Sequence, residues 1–332
     1  MRRGSGRCAT PAAVPRAARP HRRHAPAGAG RRPAGGDAGL GRAVGVDGAA
    51  RSRRRCGAGD VATGPGAAVN AVSCNGEPVD AGLLDAALVN YGHFTSLQVR
   101  AGAVQGWALH LRRLQQGTRE LFDAELDEAR LLDWLRQALI ARGMQDASLR
   151  ITVFSRAFDF RQPLRAVPVD VLVSVAAPAT VPGQARAVLP VCYQRELPQL
   201  KHAGTLPLFQ QRRLAMRRGF DDALFVDAAG RISEGSTWNI ALLAGTEVVW
   251  PRAEALRGTA EQLLIAGLER LGQAQAWREV PLDALGGFRA AVACNATGMW
   301  PLARIGDCRF ADSETLLGQL RHALAQTPWQ PL

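Results

Sequence analysis

The stretch DALFVDAAGRISEGSTWNIALLAGTEVVWP, residues 222–251, reads as strand DALFVD, turn AAGR, strand ISEGSTWNIALLAG and strand EVVWP. Upstream of it lie the strand ARAVLPVCYQ, a loop that holds Lys201, and the helical pattern LPLFQQRRLAMRRG. Downstream come the helix TAEQLLIAGLERLG, the segment AWREVPL, strands FRAAVACN and WPLARI, and a last helix SETLLGQLRHALAQ. Strands alternating with helices in this way predict an α/β unit, assigned to residues 181–332.

The preceding region has a different character. In AVSCNGEPVD the Asn75-Gly76 pair predicts a two-residue hairpin. AGLLDAALVN reads as a short helical or irregular segment, and HFTSLQVRAGAVQGWAL as two strands around Ala101-Gly102. Two helical patterns follow. LHLRRLQQGTRELF carries Leu111, Leu114 and Leu121 on one stripe, and LDEARLLDWLRQALIARG ends on Gly143 as the residue past its C-cap. Strands SLRITVFS and VPVDVLVSVA complete an α+β subdomain over residues 69–180, with a linker near residues 178–184.

The chain carries a formal charge of +12, but residues 1–68 hold 14 Arg against 3 Asp, a net +11, which leaves +1 for the other 264 residues. The basicity therefore says little about what the folded part binds. Residues 1–68, rich in Arg, Ala, Gly and Pro, cannot bury enough apolar surface to offset chain entropy and are expected to be disordered. Upstream sequence translated from a wrongly assigned start is the favoured reading, ahead of a targeting peptide or a basic nucleic-acid arm. No apolar run approaches the roughly 20 residues that span a bilayer. Six cysteines show no metal-ligand or C-x-x-C spacing and are expected to be reduced thiols in a cytoplasmic protein.

Lys201 is the sole lysine among 41 Lys and Arg residues. At a solvated site the two residue types are nearly exchangeable. They differ where chemistry needs a neutral amine, because arginine cannot give up its proton and lysine can. Lys201 is thus a candidate nucleophile toward a carbonyl. In SEGSTWN, Glu234 could hold a protonated ring nitrogen. In LRGTAEQLL, Gly258 and Thr259 precede a helix, Thr259 with Gln262 matches a capping box, and the helix start suits a phosphate.

Taken in order, LKHAG, RRGFDDALFVDAAGRISEGSTWNIALLAGTEVVWP and LRGTAEQLL resemble the C-terminal half of the class IV pyridoxal-phosphate aminotransferases, the fold-type IV enzymes. NYGHFTSLQVRAGAVQGWALHLRRL resembles their N-terminal segment. The resemblance covers about residues 72–310. It implies a two-subdomain enzyme, with a small N-terminal α+β part and a larger, barrel-like C-terminal part, that binds pyridoxal 5′-phosphate. In it Lys201 holds the cofactor as a Schiff base and moves the proton, Glu234 pairs with the ring nitrogen, and Arg113 grips the phosphate. Gly258 and Thr259 form the phosphate cup, and Asn295, or Thr297 nearby, replaces a phosphate-binding threonine. Tyr91, His93 and Thr95 are the expected substrate contacts.

The resemblance implies a homodimeric transaminase exchanging an amino group between a small amino acid and a 2-keto acid. Two departures point elsewhere: Gly258-Thr259-Ala260 stands for Gly-Ile-Thr, and Phe94-Thr95-Ser96 for Phe-Glu-Thr. The second, with Lys201-His202, leans toward aminodeoxychorismate lyase, so a lyase is the alternative. Nucleic-acid binding through the basic tail is the alternative from another class. It has no aromatic residues in the tail to stack bases and no recognised motif in the folded region.

Overall fold

The computed structural model describes residues 71–79, 83–181 and 183–332. The expected disorder of residues 1–68 lies outside the described residues. The order of elements begins β1 (Ala71–Cys74), β2 (Glu77–Pro78), α1 (Leu83–Val89), β3 (Gly92–Val99), β4 (Ala103–Gln105), α2 (Trp107–Phe122), α3 (Glu128–Ala141), β5 (Ala147–Phe154) and β6 (Asp170–Ala176). It continues with β7 (Arg186–Cys192), α4 (Leu206–Arg217), β8 (Asp222–Val226), β9 (Ile232–Gly235), β10 (Asn239–Ala244), β11 (Glu247–Pro251), α5 (Thr259–Arg270) and β12 (Gln275–Arg278). A 3₁₀ turn (Leu282–Gly287) precedes β13 (Ala290–Asn295), β14 (Gly298–Ile305), β15 (Cys308–Arg309), α6 (Ser313–Ala325) and β16 (Trp329–Pro331).

The first sheet is antiparallel, in the order β2-β1-β6-β5-β3. Its opening hairpin turns on Asn75 and Gly76, with φ of 50° and 85°, as an Asn-Gly pair allows. One face packs on α2 and α3. Alternate residues of β3 and β5 (Leu97, Val99, Leu149, Ile151) meet Leu111, Leu114, Leu131 and Leu135 in one core. The helix α3 ends as its sequence predicts, with Gly143 at φ 59° accepting the left-handed turn.

The second sheet runs β12-β11-β10-β13-β14-β7-β8-β9 and is mixed. Parallel pairs β7–β8 and β11–β12 are joined through α4 and α5, while β10, β13 and β14 pair antiparallel. Helices cover one face. Ala241 and Leu243 of β10 pack with Leu264, Leu268, Leu316 and Leu320 of α5 and α6, and Ile240 and Leu242 face the other way, toward Trp238 and Trp300. At Gly267 a side chain would strike the Ala323 carbonyl at 2.1 Å, so glycine lets α6 lie directly against α5.

Two local expectations are corrected. The single strand ISEGSTWNIALLAG is two strands, β9 and β10, interrupted at Ser236–Trp238. There Ser236 Oγ and Trp238 Nε1 donate to the buried Asp222 carboxylate, at 2.7 and 3.1 Å, and bend the chain out of the ladder. The capping box also does not form. Gly258, not Thr259, is the N-cap of α5, no side chain caps it, and Gln262 donates back to the Arg257 and Gly258 carbonyls.

Candidate active site

Strand β3 decides which residues reach the site, because its pleat sends neighbours to opposite faces. His93 and Thr95 point toward α2. His93 Nε2 meets Thr118 Oγ1 at 3.1 Å and Thr95 Oγ1 meets His110 Nδ1 at 2.7 Å, all four residues being buried. The His93 ring fills space that Gly117 leaves open. Tyr91 lies on the same side, its ring stacked 4.0 Å from that of Phe158 and its hydroxyl donating to the Leu121 carbonyl. None of the three lines the cavity at Lys201; the Tyr91 hydroxyl, His93 Nε2 and Thr95 Oγ1 are engaged elsewhere, and His93 Nδ1 is buried without a partner. From the other face of the pleat, Ser96 lines that cavity and the Phe94 ring lies against the Lys201 amine.

The Lys201 segment runs beside the free edge of β3. The Phe94 amide donates to the Lys201 carbonyl at 2.9 Å and the Ala203 amide to the Gly92 carbonyl at 2.8 Å, so the backbone on both sides of His202 is tied to the sheet. The lysine amine then extends over the Phe94 ring, 4.9 Å from its centre. The Arg150 guanidinium lies 3.6 Å from the centre of the same ring. Opposite stands Glu234, the last acidic residue of β9. It accepts from Arg195 Nε at 2.9 Å in an ion pair whose side chains are each 3% exposed. Gly235 is required next to it, since any β-carbon would fall 1.9 Å from the Trp238 ring.

The remaining wall is the start of α5. Gly258 is extended, and a side chain there would meet Asn239 Oδ1 at 2.2 Å, while Asn239 Nδ2 holds the Leu256 carbonyl at 2.7 Å. Thr259 sits just inside the helix and is buried. Asn295 Nδ2 donates to the Thr237 carbonyl and its Oδ1 accepts from the Thr297 amide, which braces the β13–β14 turn against the cavity. Thr297 itself lines the adjoining groove. From α2, Arg113 reaches in. Among the described residues its side chain makes one hydrogen bond, to the Arg257 carbonyl at 2.9 Å.

Lys201, Arg113, Arg195, Glu234, Gly258, Thr259 and Asn295 are thus brought together, with cations outnumbering the acid. Burial, with Arg113 and Arg195 adding to it against the pull of Glu234, lowers the Lys201 amine to about 7. Burial and Arg195 lower Arg113 to about 10. Burial raises Glu234, and Arg195 opposes the rise. His110 is kept neutral, its imidazolium pushed down to about 3 by burial, Arg113 and Lys201. Arg113 with unspent donors, the first amides of α5 and an amine that loses its proton near pH 7 fit a ligand bearing both a phosphate and an aldehyde. Sequence reading missed Arg195, and named Phe94 and Ser96 within the Phe94-Thr95-Ser96 run without assigning either a place in the site. One arginine among 40 gives no signal, whereas strand alternation counted from Leu97 inward would have found the other two.

A family model of class IV amino-transferases matches residues 92–305. Among solved structures, the branched-chain aminotransferase of Thermoproteus uzoniensis is 17% identical, over 78% of this chain and 96% of that one, at a TM-score of 0.69. The Escherichia coli branched-chain aminotransferase is also 17% identical, over 75% and 92%, at 0.65. A Legionella pneumophila protein provisionally named a 4-amino-4-deoxychorismate lyase is 17% identical as well, over 72% and 92%, at 0.65. At such identities the likeness establishes the fold, which is that of the fold-type IV enzymes. No curated protein matches this chain in sequence. The family match begins at β3, passes through Lys201 and Glu234 and ends on β14 beyond Asn295, and the chain accordingly belongs to the class IV aminotransferase family.

Proposed function

We propose that the protein is a pyridoxal 5′-phosphate-dependent transaminase that moves an amino group from a small amino acid to a 2-keto acid. The observation that carries this reading is the lone lysine, its amine near neutrality, facing a buried Glu234 among arginines that lack enough acids to balance them. Arg113, Gly258, Thr259 and Asn295 would hold the phosphate and Glu234 the ring nitrogen. When bound, the cofactor supplies an electron sink for the bond broken at the substrate Cα.

The residues of the chain do the rest. Arg195, paired with Glu234, opposes the rise that burial imposes on its carboxyl and so favours the charged form that would stabilise a protonated nitrogen. Lys201 Nζ, in its neutral form, would accept the proton leaving Cα and return it to the carbon on the far side of the substrate nitrogen, as a general base and then an acid. Its backbone bonds to β3 fix the segment from which the amine extends over the Phe94 ring. Ser96 offers a hydroxyl on the substrate side. The same arrangement serves a lyase when the substrate carries a leaving group β to Cα, and the Phe94-Thr95-Ser96 run supports that second reading.

The reading includes subdomains of residues 69–180 and 181–332 and a homodimer. Leu206 and Phe209, exposed at the start of α4, would be among the surfaces a second copy covers. It also places the enzyme in the cytoplasm. Among the described residues no helix is long and apolar enough to cross a membrane.

The test is a spectrum of the purified protein with pyridoxal 5′-phosphate. A visible band that borohydride bleaches, and that Lys201→Ala lacks, supports the chemistry. A colourless protein in excess cofactor refutes it. Keto-acid formation from an amino-acid panel, run beside aminodeoxychorismate turnover, then separates transaminase from lyase.

A further inference from the structure

Glu261 lies in the first turn of α5, two residues past Thr259, and is 1% exposed. One carboxylate oxygen accepts from Arg257 Nη1 at 3.1 Å, while the other, Oε2, is buried without a hydrogen-bond partner. Leaving such an oxygen unpaired is costly, and native proteins seldom do so without a use for it. The charged and titratable groups around it come from four elements: Arg257 in the loop before α5, Arg113 on α2, Glu234 on β9 and Cys294 on β13. Burial lifts the carboxyl to about 7. Arg257 and the Gly258 amide restrain the rise, and Glu234 adds to it.

We propose that Glu261 takes up a proton when a phosphate-bearing ligand occupies the cup at Gly258 and Thr259, so that binding of that ligand is coupled to pH. The inference rests on the phosphate placement proposed above. Arg257 is paired with Glu261, and Arg113, which lines the cavity, feels the Glu261 charge; a phosphate dianion arriving there draws on Arg113 and repels the Glu261 carboxylate. Two anions in one desolvated turn raise the free energy of both, and the carboxylate can relieve it by accepting a proton from solvent. The proton binds at the unpaired Oε2 and leaves the bond from Arg257 in place. Linkage fixes the sign. The complex holds more protons than the free protein, so affinity falls as pH rises above about 7. A phosphate monoester, with a second pKa near 6, is already a dianion in that range and adds no slope of its own.

The probe is pyridoxine 5′-phosphate, which has the phosphate but no aldehyde to react with Lys201. Calorimetric titration of the full chain near pH 8, in buffers of different ionisation enthalpy, counts the protons taken up. Lys201 also gains basicity beside an anion, so the comparison is Lys201→Met against Lys201→Met with Glu261→Gln. Protons on the ring of the probe are common to both and cancel. The double variant should take up about one proton fewer per ligand, and its affinity should fall less steeply with pH, by nearly a factor of ten per unit. A second measurement needs no substitution at all: infrared difference spectra of the wild type should gain the carbonyl stretch of a protonated carboxylic acid on binding. An unchanged proton count, or no such band, overturns the coupling alone. Failure of the probe to bind the wild type at any pH removes the phosphate placement and the coupling together.

Discussion

The Lys201 carbonyl accepts a hydrogen bond from the Phe94 amide at 2.9 Å, and the amine of the same lysine stands 4.9 Å from the centre of the Phe94 ring. One strand residue thus anchors the lysine at its backbone and underlies its tip. The ring favours the charged amine, yet burial and the arginines outweigh it. Capture of pyridoxal 5′-phosphate should therefore reach half its maximal rate near pH 7 and level off above it, because the neutral amine is the nucleophile and is present above its own pKa. Rates of borohydride-trapped adduct against pH check this. A midpoint near the ordinary lysine value, about 10.4, would refute the depressed amine.

Arg195→Met should destabilise the protein by about 3–5 kcal/mol, because it strands the Glu234 carboxylate in a dry site. Arg195→Lys should recover part of the loss, since it restores the charge without the same geometry. Denaturant unfolding of the protein without cofactor reads both. A loss below about 1 kcal/mol for the methionine variant would mean that water reaches the pair.

Gly258→Ala should weaken cofactor binding at least tenfold. The added methyl group collides with Asn239 Oδ1, which must move and loosen the Leu256 carbonyl it helps to hold. Gly287→Ala is the control, since a methyl group there meets nothing within 4 Å. Equal cofactor affinity in the two variants, measured by absorbance titration, would show that the helix start carries no ligand.

Thr95 and Ser96 are adjacent but face opposite ways, and their variants should separate. Thr95→Val leaves the buried His110 Nδ1 without a partner and should cost about 1–3 kcal/mol of stability with little change in KM. Ser96→Ala should shift KM or reaction outcome while altering stability by less than about 0.5 kcal/mol. The reverse pattern would mean that the strand presents its other face to substrate.

These pairs show where the sequence was legible. The Asn75-Gly76 turn, the Gly143 helix stop and the order of strands and helices follow from local chemistry, and the structure has them. Lys201 stood out because its residue type is unique in the chain. The break at Ser236–Trp238 was hidden, since it depends on Asp222, a residue on a neighbouring strand. The N-cap shifted to Gly258 because the close approach of Asn239 leaves no room for a side chain there. Arg195 was invisible for a similar reason: only folding reveals which of many arginines finds a buried acid.

The outer border of β3 is completed in part by residues 201–203 rather than by another strand of its sheet. An uncovered border of this kind invites pairing between molecules. The loop that aims the lysine is therefore also a guard against self-association. Substitutions that loosen it should produce clumping and inactivity together, and solubility screens of randomised libraries would discard the dead enzymes before any assay is run.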